Sequence, residues 1–479
     1  MSRLNLACLS TTEKNAVHQG VLHVLENVGV GIHSGGVLDM LAGTGARVDA
    51  ERRIVKLPPQ LVEEYLAKAP DHVRLASRDA AHDLVVGPGS PLACTTDGEA
   101  SMVLDDATGD VREALRDDLV SFYRLCDAAP ELDFIWTSLM ACDLDPLTAG
   151  LENDLIALES TSKHVQSVVA HSPEEIPPLL EMLEIIAGAK LHDRPIYSSL
   201  HCPVSPLQFE GDKLDASISL ARAGVPILIH PLPLMGTTAP MSVPATAAIT
   251  IAEFVAGVVI FQMAAPGCSL MVAATAGAAD LRTGGFLCGA PEVALLNAMC
   301  LSMSRHYGLP SVSSGISTDA KAVNFQAGVE GTMTAMSAIL SGADILVSAG
   351  LIDGAQISST AKLVLDCDTI GALRRLLKMP AVDDASMLVD DIVEVGPAGH
   401  FLTRRSSRDA SRRGEIWRPA VFQRGDRSGF VDRSLLNDAL ERARTLLAAH
   451  TPTPIPDDVR REARAVLDRY ARTGGAGVH

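Results

Sequence analysis

The segment Val312–Gly331, VSSGISTDAKAVNFQAGVEG, begins with the pattern of a buried strand and ends with that of a helix. Between the two lies a cluster of polar side chains: Asp319, Lys321, Asn324, Gln326 and Glu330. A strand followed by a helix is typical of a parallel sheet, in which functional groups collect at the carboxyl ends of the strands. The segment therefore predicts one strand–helix unit with a functional strand end.

Other apolar segments of strand character recur roughly every 30–45 residues, with helical patterns between them. They are LDFIWTSLM (132–140), KHVQSVVAH (163–171), RPIYSSLHC (194–202), VPILIHPLP (225–233), SLMVAATAG (269–277) and ADILVSAGL (343–351). An eighth strand is expected in AKLVLDCDT (361–369) or DDIVEVGPA (390–398). This alternation predicts the α/β class and a closed (β/α)8 TIM barrel, with a doubly wound sheet as the alternative.

The flanking segments predict additions to the barrel. Before residue 130 helical patterns alternate with short extended ones, and GEASMVLDDATGDVREA (98–114) has the pattern of a hairpin that turns at Asp106–Gly109. We expect an N-terminal α+β extension over residues 1–130, the barrel over 131–400 and a C-terminal helical segment over 401–479.

The composition excludes several classes of function. The 479 residues carry a formal net charge of −18, which argues against binding to nucleic acid. The nine cysteines have neither a CxxC pair nor a zinc-site spacing, which is typical of thiols in a reducing compartment. We therefore expect no metal site.

The longest apolar segment is predicted to lie inside the protein. ITIAEFVAGVVIFQMAAPG (249–267) contains Glu253 and Gln262, whereas a membrane span needs about 20 mostly apolar residues. We interpret it as a buried core helix. The N-terminal residues lack the pattern of a secretory signal, so we expect a cytoplasmic protein that binds no membrane.

Polar side chains follow several of the predicted strands. HCPVSPLQFEG (201–211) brings His201, Gln208 and Phe209 to one strand end, and HPLPLMGTTAPMS (230–242) brings His230 to the next. Histidines at such positions are more often hydrogen-bonded core residues than catalysts. Both interpretations stay open here.

Two further patterns have alternative interpretations. Lys321 is a candidate for Schiff-base chemistry, but Asp319 and Glu330 nearby favour a charged lysine that makes an ion pair or contacts substrate. Aromatic residues near strand ends either pack in the core or form a box for a quaternary ammonium group. They are Trp136, Tyr123, Phe209 and Phe325.

Many ordered segments resemble the trimethylamine methyltransferase family. They are TDGEASMVLDDATGDVREALRDDL (96–119), STSKHVQSVVAHS (160–172), SPLQFEGDKLDASISLARAGVPILIHPLPLMGTTAP (205–240), QMAAPGCSLMVAATAGAADLRTGG (262–285), GAPEVALLNAMCLSMSRHYGLP (289–310), TDAKAVNFQAGVEG (318–331), ADILVSAGLIDG (343–354) and EVGPAGHFL (394–402). The similarity extends from Leu9 to at least Pro419. The chain contains only ordinary residues, so it resembles the branch of the family that lacks pyrrolysine.

The resemblance implies a TIM barrel whose carboxyl face receives a cobalamin carried by a separate corrinoid protein. Characterised members of the branch without pyrrolysine demethylate glycine betaine and related quaternary amines. The chain is thus expected to be a corrinoid-dependent methyltransferase with no tightly bound cofactor of its own, and a homo-oligomer. A non-catalytic or regulatory betaine-binding relative, and a lysine-based aldolase acting through Lys321, remain as alternatives.

The resemblance, taken with the strand-end positions, implies three sets of site residues. The predicted catalytic residues are Asp319, Glu330 and Gln326. The predicted substrate-binding residues are Phe209, Gln208, His201, His230, Lys321 and Phe325. The predicted corrinoid-binding residues are Gly236, Thr237, Arg282 and Gly350.

Two segments depart from the family pattern. GTTAPMSVPAT (236–246) stands where a GPVT-like run is expected, and FLTRRSSRDASRRGEIW (401–417) lacks the expected His-Thr pair. Because both are expected near the substrate or the corrinoid, proline betaine, carnitine or another methylated amine stays open as the substrate.

Overall fold

A computed structural model describes residues 6–105, 108–167, 171–424 and 434–474. Eight short parallel strands form its centre. In chain order they are β1 (Ala93–Cys94), β2 (Ile135–Trp136), β3 (Val165–Gln166), β4 (Tyr197–His201), β5 (Ile227–Ile229), β6 (Leu270–Ala273), β7 (Ser311–Ser314) and β8 (Ile345–Val347). A helix follows each strand: α1 (Arg116–Ala128), α2 (Ala149–Ser160), α3 (Ile176–Ala187), α4 (Gly211–Arg222), α5 (Val243–Ala264), α6 (Pro291–His306), α7 (Phe325–Ser341) and α8 (Thr360–Leu377). The predicted (β/α)8 barrel is therefore confirmed.

The barrel closes between β1 and β2. Backbone pairing runs from β2 through the strands in order to β8 and then to β1. Hydrogen bonds across the junction complete the ring: the hydroxyls of Thr95 and Thr96 donate to the carbonyls of Phe134 and Trp136, and the Asp133 amide donates to the Cys94 carbonyl, each at 2.8 Å. The doubly wound alternative is wrong because the sheet has no open edge at this junction.

Seven predicted strands contain observed ones, but both candidates for the eighth are wrong. Residues 361–369 lie in α8, where apolar side chains repeat at helical spacing and Ser359 caps the first turn. Residues 390–398 begin in the exposed helix Val389–Val395. The missing strand is β1, which lies inside the segment 1–130 predicted as an extension, so the proposed boundary at residue 130 does not coincide with the start of the barrel.

The N-terminal residues form a layer attached to one strand-end loop. Helix Thr11–Asn27 begins with a capping box in which Ser10 and Glu13 each bond the other's backbone. Helices Gly35–Ala42 and Pro59–Lys68 follow. Strands Arg47–Asp49, Ile54–Lys56 and Val30–Ile32 form a sheet that is completed by Gln208–Phe209 from the loop after β4.

Short sheets cover both ends of the barrel. At the amino end, Val73–Leu75 and Leu84–Val86 pair, and their side chains pack with the barrel interior. At the carboxyl end, Leu234–Met235, Gly277–Asp280 and Gly285–Leu287 form one sheet. The predicted hairpin, Met102–Leu104 with Val111–Glu113, joins Leu351–Ile352 and Ile357–Ser358 in another; residues 106 and 107 of its predicted turn lie outside the described residues.

Helix α5 is a core helix, as predicted. It is long and apolar enough to cross a bilayer, but 72% of its most apolar window is buried within the protein. It packs against Pro59–Lys68, Thr11–Asn27 and α6. Near its middle, Glu253 accepts hydrogen bonds from the Ser205 hydroxyl and the Leu207 amide, so the helix also holds the loop after β4.

The C-terminal residues are helical. Helix Leu435–Ala449 packs on α8 and α1, and helix Asp457–Arg472 packs on α3. Between α8 and these helices lie three short ones, Asp384–Met387, Val389–Val395 and Arg405–Arg412, which contain no buried residue.

Candidate active site at the carboxyl end of the barrel

A cavity of about 430 Å³ opens at the carboxyl ends of the barrel strands. Its volume lies within the range of small-molecule sites. Most of its wall comes from the loops after β1, β5, β7 and β8. The lining residues are Asp97, Gly98, Glu99, His230, Leu232, Leu234, Phe286, Cys288, Ser314, Ser317, Thr318, Ser348, Leu351, Gly354, Ala355 and Gln356.

Asp97 is the most firmly held ionisable group in this cavity. Its carboxylate accepts hydrogen bonds from the Ser348 hydroxyl at 2.9 Å and from the Gly98 amide at 2.7 Å. Burial raises the pKa of Asp97, and the nearby His230 opposes that rise. Asp97 follows β1 and Ser348 follows β8, so the contact joins the first and last strands of the barrel.

His230 lies on the opposite side of the strand ring, at the end of β5. Its Nε2 is 3.0 Å from the Thr275 hydroxyl, and its ring meets the indole of Trp136 edge-on at 6.1 Å between centroids. Burial lowers the pKa of His230, although Asp97 favours its charged form. Burial therefore favours the neutral imidazole, and the carboxylate of Asp97 favours the charged one.

Glu99 contributes a second carboxylate to the cavity wall. It is exposed and has no hydrogen-bond partner within the described residues. Partial burial raises its pKa. Together with Asp97 it makes this wall acidic, while Leu232, Leu234 and Phe286 make the facing wall apolar.

Strained backbone is concentrated around the cavity. Four residues other than glycine have positive φ in the loops after β7 and β8: Ile316 (59°), Ser348 (88°), Asp353 (54°) and Ala355 (70°). Such conformations are costly for residues with a Cβ and tend to occur at functional sites. The loops keep them because buried hydrogen bonds fix the backbone from behind.

Asp319 and Glu330 form one of these supports. Asp319 accepts hydrogen bonds from the amides of Cys288 and Gly289, at 2.7 and 3.2 Å. Glu330 accepts from the Thr318 hydroxyl at 2.6 Å and from the Asp319 amide at 2.9 Å. Both carboxylates therefore lie behind the cavity wall and hold two residues that line it, Cys288 and Thr318.

Lys362 and Asp366 form a second support beneath the loops after β7 and β8. Lys362 Nζ lies 2.6 Å from both carboxylate oxygens of Asp366, and both side chains are buried on α8. Asp366 also accepts a hydrogen bond from the Gly350 amide at 2.8 Å, and Lys362 Nζ lies 3.5 Å from the Ile316 carbonyl. Burial raises the pKa of Asp366, and the lysine opposes that rise.

Of the predicted substrate-binding residues, only His230 lines this cavity. His201 and Phe209 are buried and stack on each other at 5.7 Å, and burial lowers the pKa of His201 to about 4. Gln208 bonds His33 in the N-terminal layer. Lys321 pairs with Asp353 just outside the cavity.

The remaining predicted residues lie farther from the cavity. Phe325 is 87% exposed and lines a separate apolar groove on α7. Gln326 is exposed and donates to Glu330. Gly236, Thr237 and Arg282 lie in the turns of the three-stranded sheet at the rim of the cavity. Gly350 lies beneath the rim, where its amide donates a hydrogen bond to Asp366. The roles predicted for all of these residues remain predictions.

The sequence interpretation missed the two carboxylates of the cavity. Asp97 and Glu99 lie in TTDGE, directly after the two-residue strand β1. The pattern that could identify them is an acidic pair directly after a short apolar segment. That pattern indicates a strand end only when β1 is recognised as a barrel strand, and β1 lies inside the segment predicted as the N-terminal extension.

Comparisons with known proteins agree with this architecture. The family model described as Trimethylamine methyltransferase (MTTB) matches residues 3–475. The chain is 28% identical over 477 residues to "Trimethylamine methyltransferase MttB" of Desulfitobacterium hafniense (strain DSM 10664 / DCB-2), covering 97% of this chain and 94% of that one. It is 26% identical over 473 residues to "Glycine betaine methyltransferase" of Desulfitobacterium hafniense (strain Y51), covering 98% of each.

A solved structure has the same fold. The crystal structure of the Methanosarcina barkeri monomethylamine methyltransferase (MtmB) superposes with a TM-score of 0.54 at 12% identity, covering 98% of this chain and 89% of that one. At this identity the likeness supports the fold alone.

The Lys362–Asp366 support yields a prediction on stability. Lys362→Met leaves a buried carboxylate without its cation and should lower the free energy of unfolding by about 3–5 kcal/mol. Asp366 then has a folded-state pKa above its unfolded value, so the loss should shrink as the pH falls and the carboxylate is protonated. Urea unfolding at several pH values measures both effects.

The matched control is Lys362→Met with Asp366→Asn, which keeps an acceptor for the Gly350 amide and removes the charge. It should recover most of the lost stability at neutral pH. If the single and double variants were equally unstable at every pH, the ion pair would not be the support.

Proposed function

The chain belongs to the trimethylamine methyltransferase family, and we propose that it moves a methyl group from a quaternary amine of the glycine betaine type to the reduced cobalt of a corrinoid carried by a partner protein. The observation that carries this proposal is the open cavity at the barrel mouth, which combines two carboxylates, Asp97 and Glu99, with an apolar wall. A cation with methyl groups needs both features.

The chemistry of a quaternary nitrogen suits this set of residues. The nitrogen is already positive, so the methyl group departs from it as a neutral tertiary amine forms, and no general acid is required. The site must hold the cation and keep one methyl group open to approach along the methyl–nitrogen axis. A reduced corrinoid, when bound, supplies the nucleophile that accepts the methyl group.

We propose distinct roles for the acidic residues. Asp97 faces the cation, because its carboxylate is fixed by Ser348 and Gly98 and a positive ligand offsets the cost of burying its charge. Glu99 lies at the exposed part of the wall and attracts the cation. Asp319 and Glu330, which the sequence predicts as catalytic, are better explained as positioning residues, because they bond Cys288 and Thr318 from behind.

The rim has features that fit a large, flat ligand brought by another protein. Leu232, Met241 and Leu281 are exposed apolar residues beside the opening. Gly236 has a φ of +100°, and a Cβ there would lie 2.5 Å from the Met241 side chain, so glycine lets the loop and Met241 pack closely. Arg282, exposed on the same sheet, can pair with an acidic group of the partner or with a polar group of the corrinoid.

The methyl-transfer assay tests the proposal directly. The purified protein is mixed with cobalamin reduced to Co(I), in place of the partner's corrinoid, and with glycine betaine, choline or trimethylamine. Loss of the Co(I) absorbance that depends on both enzyme and a quaternary amine is expected. Asp97→Asn should lower kcat/KM by about 100-fold, because the cation loses its fixed counter-charge.

Asp71→Asn is the matched control, since Asp71 is an exposed carboxylate next to the hairpin at the amino end of the barrel. It should leave the rate unchanged. An unchanged Co(I) spectrum with every amine would contradict methyl transfer. Binding of a betaine without transfer would instead support the non-catalytic relative.

We also propose that the chain forms a homo-oligomer through its arm, residues 382–412. Arg404 links the arm internally to Asp391 and Glu394. The arm contains no buried residue and leaves Val382, Val393 and Leu402 more than two-thirds exposed. Exposed apolar side chains gathered on one segment are typical of an interaction surface, and a second copy would cover them.

Light scattering after gel filtration tests the arm. Val393→Asp with Leu402→Asp should lower the molar mass from that of an oligomer to that of the monomer, because charges replace buried apolar contacts. Val85→Asp, on an exposed strand at the other end of the barrel, is the control. A monomeric unmodified protein would contradict the proposal.

We propose a cytoplasmic location as well, because all nine cysteines are free, as in proteins of reducing compartments. Recovery of the protein in the membrane or extracellular fraction would contradict this.

A further inference from the structure

We infer that, among quaternary amines, the preferred substrate is a trimethylammonium cation that bears a neutral hydroxyl or amide group and no carboxylate. This rests on the proposed function and narrows it. Glycine betaine, the reference substrate above, is a zwitterion, and the charges around the cavity discriminate against its negative end.

The first observation is the sign of the charges in the cavity wall. Two carboxylates line it, and no lysine or arginine does so within the described residues. A binding site for a zwitterion normally offers a cation, and most often an arginine, to the substrate carboxylate. Here a substrate carboxylate would enter the same small volume as Asp97 and Glu99.

Cationic side chains around the cavity are paired with carboxylates or lie outside it. Lys321 donates to Asp353, with which it forms an ion pair. Arg282 is 92% exposed on the rim and lies near Asp280. His230, the one lining residue of a basic type among the described residues, is half-buried and hydrogen-bonded to Thr275, and desolvation lowers its pKa.

The second observation is a set of neutral polar groups in the same wall. Ser314, Ser317 and Gln356 line the cavity, and their side chains make no hydrogen bond with any described residue. The Ser348 hydroxyl, in contrast, is committed to Asp97. Free hydroxyls and an amide can both donate to and accept from a substrate hydroxyl or amide group.

The two observations together select the substrate class. The carboxylates attract the ammonium end, and the neutral groups satisfy a polar end that has no charge. A carboxylate at that end would accept the same hydrogen bonds, but it would also meet two like charges in a partly desolvated space, where charge repulsion is much stronger than in water.

The test compares three ligands that share the trimethylammonium head: glycine betaine, its primary amide and choline. The amide matches glycine betaine in size and differs from it by the removal of one negative charge. In the reduced-cobalamin assay, kcat/KM for the amide and for choline should exceed that for glycine betaine by about 100-fold.

Two variants separate charge from shape. Glu99→Gln and Asp97→Asn should each reduce the preference for the amide over glycine betaine by about tenfold, because each removes one repulsive charge from the wall. Glu292→Gln, which alters an exposed carboxylate at the start of α6, is the control and should leave the ratio unchanged.

The outcomes distinguish this inference from the proposed function. Transfer from the amide and choline in strong preference to glycine betaine supports it. Equal or better transfer from glycine betaine overturns the inference and leaves methyl transfer intact. No transfer from any of the three overturns the proposed function itself.

Discussion

The hydrogen bond between Ser348 and Asp97 is the contact on which the site depends. It joins the loop after the last barrel strand, β8, to the loop after the first, β1, and these two strands pair directly through their backbones. On its other side β1 is joined to β2 by the Thr95 and Thr96 hydroxyls and by the hydrogen bond from the Asp133 amide to the Cys94 carbonyl. The half-buried Asp97 carboxylate is thus fixed at the mouth by the end of β1, the strand that completes the barrel.

The loops around Asp97 are held from behind by ionisable residues that do not line the cavity. Lys362 and Asp366 support the residues after β7 and β8, and Asp319 and Glu330 support the neighbouring wall. A buried ion pair such as Lys362–Asp366 contributes little net stability compared with packed apolar residues, although removing one partner alone is costly. These contacts hold Ser348 and Ile316 at positive φ, a backbone conformation that is unfavourable for residues other than glycine.

Much of the fold could be predicted from sequence, and the reasons for the failures are physical. Seven strands were recognisable because each is a buried apolar run followed by a helical pattern. β1 was not, because a strand of two residues carries no periodicity. The apolar segment of α8 was mistaken for a strand because periodicity cannot separate a short buried helix segment from a strand.

The candidate site was predictable in location but only partly in its residues. His230 was identified because it directly follows an evident strand. Asp319 and Glu330 were noticed for the right reason, as carboxylates at a strand end, but sequence cannot tell whether such a side chain faces the cavity or the backbone behind it. Phe325 was predicted because it is an aromatic residue near a strand end. Its high exposure depends on which face of α7 points to solvent, and only the fold determines that.

The central claim is that the ionised Asp97 binds a cation at the barrel mouth, and calorimetry of choline binding to the Glu99→Gln variant tests it most directly. Burial raises the pKa of Asp97, and a bound cation favours the ionised form, so protons compete with the ligand. The affinity should be full above that raised pKa and fall as the pH drops through it, approaching about tenfold per pH unit. When Asp97→Asn is added to the Glu99→Gln variant, choline binding should become weak and independent of pH. The account would be contradicted if the affinity did not change with pH, or if the loss of Asp97 left the affinity unchanged.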